Sequence, residues 1–183
     1  INGDGLAPFK ADSGYPPILT STNPCRLGTM DIVVANPPFS IANFRRDVQD
    51  GGGRFRLYKH LTAQSCEIEC LFLERTSQLL TEGGAAGVIF PLSLLGSSLA
   101  IYAAARRLLA LDFQMCGLLE LRDKTFTATP TTTVCCFLKR RTEAELEQAA
   151  EKLLGPAKSD QAVLHRAGVD VAVVAERLGH LKR

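Results

Sequence analysis

The stretch DIVVANPPFS, residues 31–40, carries a valine-rich apolar run into an amide, two prolines and an aromatic ring. That combination has a definite chemical use. An exocyclic amine on a nucleobase such as adenine is a weak nucleophile, because its lone pair is delocalised into the ring. Two acceptors converging on its hydrogens hold the nitrogen in a pyramidal, reactive geometry, and the side-chain carbonyl of Asn36 with the backbone carbonyl of Pro37 can supply them. Pro37 has no competing N–H, and the adjacent Pro38 restricts the residue before it, so both carbonyls are aimed in advance. Phe39 would then stack on a base swung out of its duplex, an arrangement worth roughly 1–3 kcal/mol per base. No general base is required, since the amine becomes acidic only after its nitrogen has attacked; positioning and electrostatics carry the rate. Taken alone, four residues of this kind also fit a strand-terminating turn with an Asn cap and a core Phe, so their setting must decide.

Immediately after the turn, Arg45, Arg46, Arg54, Arg56 and Lys59 are interleaved with Phe44, Phe55 and Tyr58 and hinged by Gly51, Gly52 and Gly53. Such a cluster beside an amine clamp fits contact with DNA phosphates and bases better than it fits an ordinary solvated loop. Total charge says little, being only +2. Lys139, Arg140 and Arg141 read instead as the exit of a strand to solvent. The six cysteines are Cys25, Cys66, Cys70, Cys116, Cys135 and Cys136, four of them in apolar runs, and reduced core thiols are the preferred reading. His60, Cys66 and Cys70 would make part of a zinc site, but paired CxxC spacing and a fourth ligand are missing, so no metal is expected.

These groups must be positioned by elements that the hydrophobic pattern outlines. Residues 31–35 have the pattern of a central strand buried on both faces of a parallel sheet. Residues 10–28, with three prolines and many Ser and Thr, read as a loop, and 40–60 as a mobile one. Helical spacing over 62–81 ends at the glycines of TEGG, a second buried strand ending at Pro91 follows in AAGVIFPLSLL, and SSLAIYAAARRLLAL is a further helix. Two β-rich runs, 113–121 and 131–140, form an antiparallel hairpin. An acidic amphipathic helix over 143–154 begins a tail that ends in a short strand or turn and another helix. Alternating strands and helices imply an α/β fold whose ligands bind beyond the carboxyl ends of the strands, where the Asn-Pro-Pro-Phe turn lies.

The NPPF turn after a valine-rich strand resembles the catalytic motif of S-adenosylmethionine-dependent amino-methyltransferases, in particular the N6-adenine DNA methyltransferases that serve as modification subunits of type I restriction systems. NGDGLAPF resembles the short acidic motif ahead of the catalytic strand, FLERTSQLLTEGGAAGVIFPLSLL the helix and strand after it, and TFTATPTTTVCCFLKR the closing strands. The resemblance implies a partial Rossmann-like methyltransferase fold: a mixed, mostly parallel sheet with a terminal antiparallel hairpin. Residues 1–141 would be the C-terminal portion of the catalytic domain, and 142–183 a helical tail packing on it or on a partner. Asn36, Pro37 and Phe39 match the target-amine and base-stacking positions, with Pro38 shaping the turn. Asp4 matches the acidic residue that binds the adenine part of the cofactor, and Asn36 and Pro37 are expected beside its methionine portion.

The family's glycine-rich cofactor loop is absent from these residues, and the chain begins at Ile1 rather than Met. An excised piece is therefore expected, with that loop and the N-terminal strands upstream, and with no methyl transfer by these 183 residues alone. An exposed sheet edge and apolar helix faces would then favour self-association. The reaction implied is methyl transfer from S-adenosylmethionine to the N6 amine of adenine in DNA within a restriction-modification system, with specificity and restriction subunits as partners. Rival readings are methylation of another planar amine, in a protein glutamine or an RNA base, and a non-catalytic binding module that keeps the fold. With neither a signal peptide nor a membrane-length apolar run, the expected location is cytoplasmic.

Overall fold

In the computed structural model, which describes residues 5–6, 28–48, 53–121, 125 and 131–154, the valine-rich run forms strand β1 (Met30–Ala35). It pairs in parallel with β2 (Leu80–Pro91), Val33 beside Ala86 and Ala35 beside Val88. Between them lies helix α1 (Glu69–Leu79). After β2 come a short turn of helix, α2 (Ser93–Gly96), then α3 (Ala100–Asp112), β3 (Phe113–Glu120), β4 (Thr133–Arg140) and α4 (Glu143–Leu154). The strand order is β1-β2-β4-β3, with β4 antiparallel to both neighbours. This is the mixed sheet with a terminal hairpin that the pattern predicts. Asp4, most of the 10–28 loop and the tail beyond Leu154 lie outside the described residues.

The core forms on one face of this sheet. Ala86, Val88 and Phe90 of β2 and Val134, Cys136 and Leu138 of β4 alternate inward to meet Leu71 and Leu73 of α1 and Ala105 and Leu108 of α3. The period of two that places alternate strand residues on one face therefore selects the buried set. Cys70 and Cys136 are buried, as core thiols should be. Cys116 is exposed.

β1 departs from expectation. Instead of being buried on both faces, it exposes Ile32 by 70% and Val34 by 83%. Among the described residues, nothing covers the face of the sheet opposite α1 and α3, and β1 stands at its edge. The exposed apolar surface continues across the sheet, because Val34 is in register with Gly87, which pairs with the half-exposed Phe137. The uncovered surface is thus a sheet face and edge, not the apolar helix faces that were expected. α1 itself is buried almost all round, including Glu69, Glu74, Arg75 and Gln78.

Three boundaries also differ. α1 begins seven residues later than its hydrophobic spacing implies, since Thr62 and Ser65 bond to one another in a local turn. The glycines of TEGG do not stop the helix, which already ends at Leu79; they lie within β2, where the pairing with β1 slips between Met30 and Ile32. Gly83 takes φ +74 there, a left-handed backbone that a side chain would strain. In place of a mobile loop, the described part of 40–60 holds two short 3-10 turns, Phe44–Asp47 and Arg56–His60, anchored by buried Phe44, Phe55 and Leu57. Interleaved aromatics were the visible signal of that anchoring.

α4 spans the expected residues. Thr142 and Glu145 form a reciprocal capping box, each backbone N–H bonded to the other's side chain, and Ala149 and Ala150 are buried.

Candidate active site

β1 ends at Ala35, and residues 36–39 leave the sheet beside the carboxyl end of the parallel strand β2. Asn36 continues the exposed series of Ile32 and Val34, and among the described residues no hydrogen bond claims its amide. Pro37 is buried, Pro38 exposed and Phe39 half-buried. The prolines fix the backbone between an open amide and a ring that is only partly sunk into the protein.

The turn closes through Ser40, whose φ of 59 places a non-glycine residue in the left-handed region. Its N–H donates to Glu69 Oε2 at 3.3 Å. The other oxygen, Oε1, accepts the Tyr102 hydroxyl at 2.6 Å, and Tyr102 in turn accepts a hydrogen bond from Ser93 Oγ at 3.1 Å. Burial pushes the Glu69 carboxyl above its ordinary range, against the opposing pull of Tyr102, its own backbone N–H and Ser40, while Glu67 adds to the rise. Burial, with Glu69 next to it, likewise raises the Tyr102 phenol. Nothing in the local sequence pattern singles out Glu69, Tyr102 or Ser93, apart from a glutamate at the head of an apolar helical run.

The basic cluster separates into different roles. Arg56 is turned inward: Nε donates to Glu74 Oε1 at 3.0 Å and Nη2 to Asp112 Oδ2 at 2.8 Å. Burial alone would lower its pKa, but Asp112 and Glu74 outweigh burial and the net direction is up. Arg56 therefore ties α1 to the C-terminal end of α3, where an aspartate faces the wrong end of the helix dipole and requires a cation. An expected DNA contact is thus committed to internal ion pairs. Glu74 also accepts the backbone N–H groups of Arg56 and Leu57, and Gln78 donates to the Arg54 carbonyl at 2.8 Å. Buried polar groups of α1 thereby order the segment that carries the basic residues.

The Arg45 guanidinium lies 4.9 Å from the centre of the Tyr58 ring, and the Tyr58 hydroxyl donates to the Arg45 carbonyl. Arg46 extends into solvent with its side chain 78% exposed and Asp47 3.9 Å away. Lys59 is exposed and Arg54 half-buried. Near the chain's beginning, Arg75 donates to the Leu6 carbonyl at 3.0 Å and lies over the Phe55 ring, fastening the buried Leu6 to α1. Asp4, two residues before Leu6, is outside the described residues.

Comparison with known proteins settles what kind of chain this is. The family model for N-6 DNA methylase matches residues 11–161. The chain belongs to that family. No curated protein matches it by sequence. Among solved structures, the chain is similar to the type I restriction enzyme EcoKI M protein at 26% identity and a TM-score of 0.48, covering 64% of this chain and 22% of that one. It is also similar to a type I modification subunit from Vibrio vulnificus, at 22% identity, TM-score 0.49 and coverage of 68% and 25%. A structure from Listeria monocytogenes named as a class I S-adenosylmethionine-dependent methyltransferase shares the fold at TM-score 0.50 and 16% identity, with coverage of 63% and 33%. The chain thus spans between about a fifth and a third of the length of these structures. The described sheet with its closing hairpin has the same fold as the Listeria monocytogenes structure, in a chain of the N-6 DNA methylase family. Among the described residues, no helix is long and apolar enough to cross a membrane.

Proposed function

We propose that the protein transfers the methyl group of S-adenosylmethionine to the N6 amine of adenine in DNA, as a component of a restriction-modification system. The observation that carries this reading is the exposed Asn36 amide next to the Pro37 carbonyl, on a proline-stiffened turn at the carboxyl end of a parallel strand. Asn36 and Pro37 accept hydrogen bonds from the amine, Pro38 shapes the turn and Phe39 stacks on the flipped base. Methylation of DNA by the full-length protein supplied with labelled cofactor tests the reading, and failure to transfer label to adenine in DNA would overturn it.

The turn fits the reactive end of that cofactor. Its side-chain and main-chain carbonyls are neutral acceptors and it holds no cation, a donor set compatible with a sulfonium. Asn36 and Pro37 would lie against the methionine portion and Asp4 would bind the adenosine. When bound, the cofactor supplies an electrophilic methyl group; the chain's own task is to orient the amine and stack its base.

Arg45, Arg46, Arg54 and Lys59 form the DNA-facing side of the site, with Arg56 acting through the fold that carries them. Replacing both Arg46 and Lys59 by alanine should weaken binding to any DNA sequence and flatten the dependence of log K on log salt by about 0.9 for each phosphate no longer neutralised. An unchanged salt slope in a binding titration would remove both residues from the interface. DNA sequence recognition and cleavage are left to specificity and restriction subunits.

The open sheet face gives the chain a second expected behaviour, association with copies of itself. Val34 and Phe137 lie on that face, in strands linked by register through Gly87. Sedimentation velocity of these 183 residues should show association that grows with concentration and that Val34→Lys with Phe137→Lys reduces. A monomer at high concentration would count against it.

A further inference from the structure

We infer that Glu69, backed by Tyr102, is a positioning residue that holds the 36–39 turn in its amine-clamping shape; the inference rests on the methyltransferase reading above. It begins with an unfavourable backbone. Ser40 sits at φ 59 directly after Phe39, and a non-glycine residue keeps that conformation only where its surroundings enforce it. The polar contact that does so is the Ser40 N–H on Glu69 Oε2.

Glu69 is itself an expensive choice for a packing position. It is 0% exposed, in the first residue of a helix whose neighbours Cys70 and Leu71 are equally buried. An apolar residue of similar size would avoid the desolvation of a carboxyl group. What an apolar residue could not do is accept two hydrogen bonds at once, one on each oxygen, from groups on either side. Tyr102 of α3 supplies the second donor at 2.6 Å, and Ser93 of α2 orients Tyr102 by donating to its oxygen. Ser93, Tyr102, Glu69 and Ser40 therefore form one chain of hydrogen bonds joining α2, α3, α1 and the turn.

The neighbouring prolines make this chain matter to the chemistry. With φ fixed at Pro37 and Pro38, the segment has few soft dihedrals between Asn36 and Ser40 in which to absorb a displacement. A shift of Ser40 is passed to Phe39 and to the Pro37 carbonyl. Holding one end of a stiff turn thus sets the stacking ring and the amine acceptors together.

The test uses Glu69→Gln and the near-isosteric Tyr102→Phe in the full-length protein, with two readouts. Amide hydrogen exchange around Ser40 reports the turn directly, and single-turnover methylation with a separate KM for DNA reports its use. Both variants should speed exchange at residues 39–41 and lower the methylation rate by roughly ten- to a hundredfold, with the KM for DNA within about twofold of the parent. Unchanged exchange, or faster exchange with a parental methylation rate per folded molecule, would overturn the inference. So would equal losses in rate and DNA affinity that follow the melting temperature, the mark of a role confined to folding. If the parent protein itself transfers no methyl group, the proposed reaction fails separately, and exchange at Ser40 alone then decides whether Glu69 holds the turn.

Discussion

Arg56→Ala is expected to lower the stability of the fold by about 3–5 kcal/mol, the usual consequence of removing one partner from a buried ion pair. Two carboxylates lose their cation together, for Glu74 and Asp112 are each only 1% exposed and both lie within 3.0 Å of the Arg56 guanidinium. Neither can turn to solvent without unpacking α1 from α3. Measured against a typical total of about 5–15 kcal/mol for a domain, the loss is a large share of the stability. Chemical denaturation should report it as a lower midpoint. Arg56→Ala combined with Asp112→Asn should cost less than the sum of the two single changes, because the pair is then removed with less charge stranded. A shift below about 0.5 kcal/mol for Arg56→Ala, with DNA binding weakened instead, would return this arginine to the DNA-facing group.

Asn36→Ala is expected to show the opposite profile. The side chain is exposed and no hydrogen bond from a described residue holds it, so the melting transition should move by no more than about 0.5 kcal/mol. Methyl transfer by the full-length protein should nevertheless fall by roughly a hundred- to a thousandfold, comparable with loss of a preorganised group that acts chiefly in the transition state. The KM for DNA should change little, since the phosphate contacts and the Phe39 ring remain. Asn36→Asp is the sharper comparison. It keeps an acceptor on the amine but adds a negative charge beside it, and the resulting rate separates simple hydrogen-bond acceptance from the need for a neutral carbonyl. Full methylation by Asn36→Ala would rule out the clamp.

The contrast between these two residues follows from what local pattern contains. Asn36, Pro37, Pro38 and Phe39 are contiguous, so the chemistry proposed for them rests on their types and order and needs no knowledge of the fold. Arg56 and Arg46 looked alike in the same basic stretch. Partners 18 and 56 positions away turn Arg56 inward, whereas among the described residues Arg46 has only the adjacent Asp47 and extends outward. Such pairing at long sequence separation has no period and leaves no local trace.

By itself, then, the sequence determined the class of fold, the β3–β4 hairpin and the span of α4, because each depends on a repeat of two or 3.6 residues, and it holds in one contiguous motif the turn proposed to bind the amine. Tertiary structure decided which face of the sheet is covered, where α1 begins, which arginine is internal, and that Glu69 and Tyr102 stand behind Ser40. Valine-rich β1 has the same pattern whether helices pack on one side or both, and a glutamate in an apolar helix looks the same until its partners arrive. Alternation records what a strand can bury; only the assembled layers settle what it does bury.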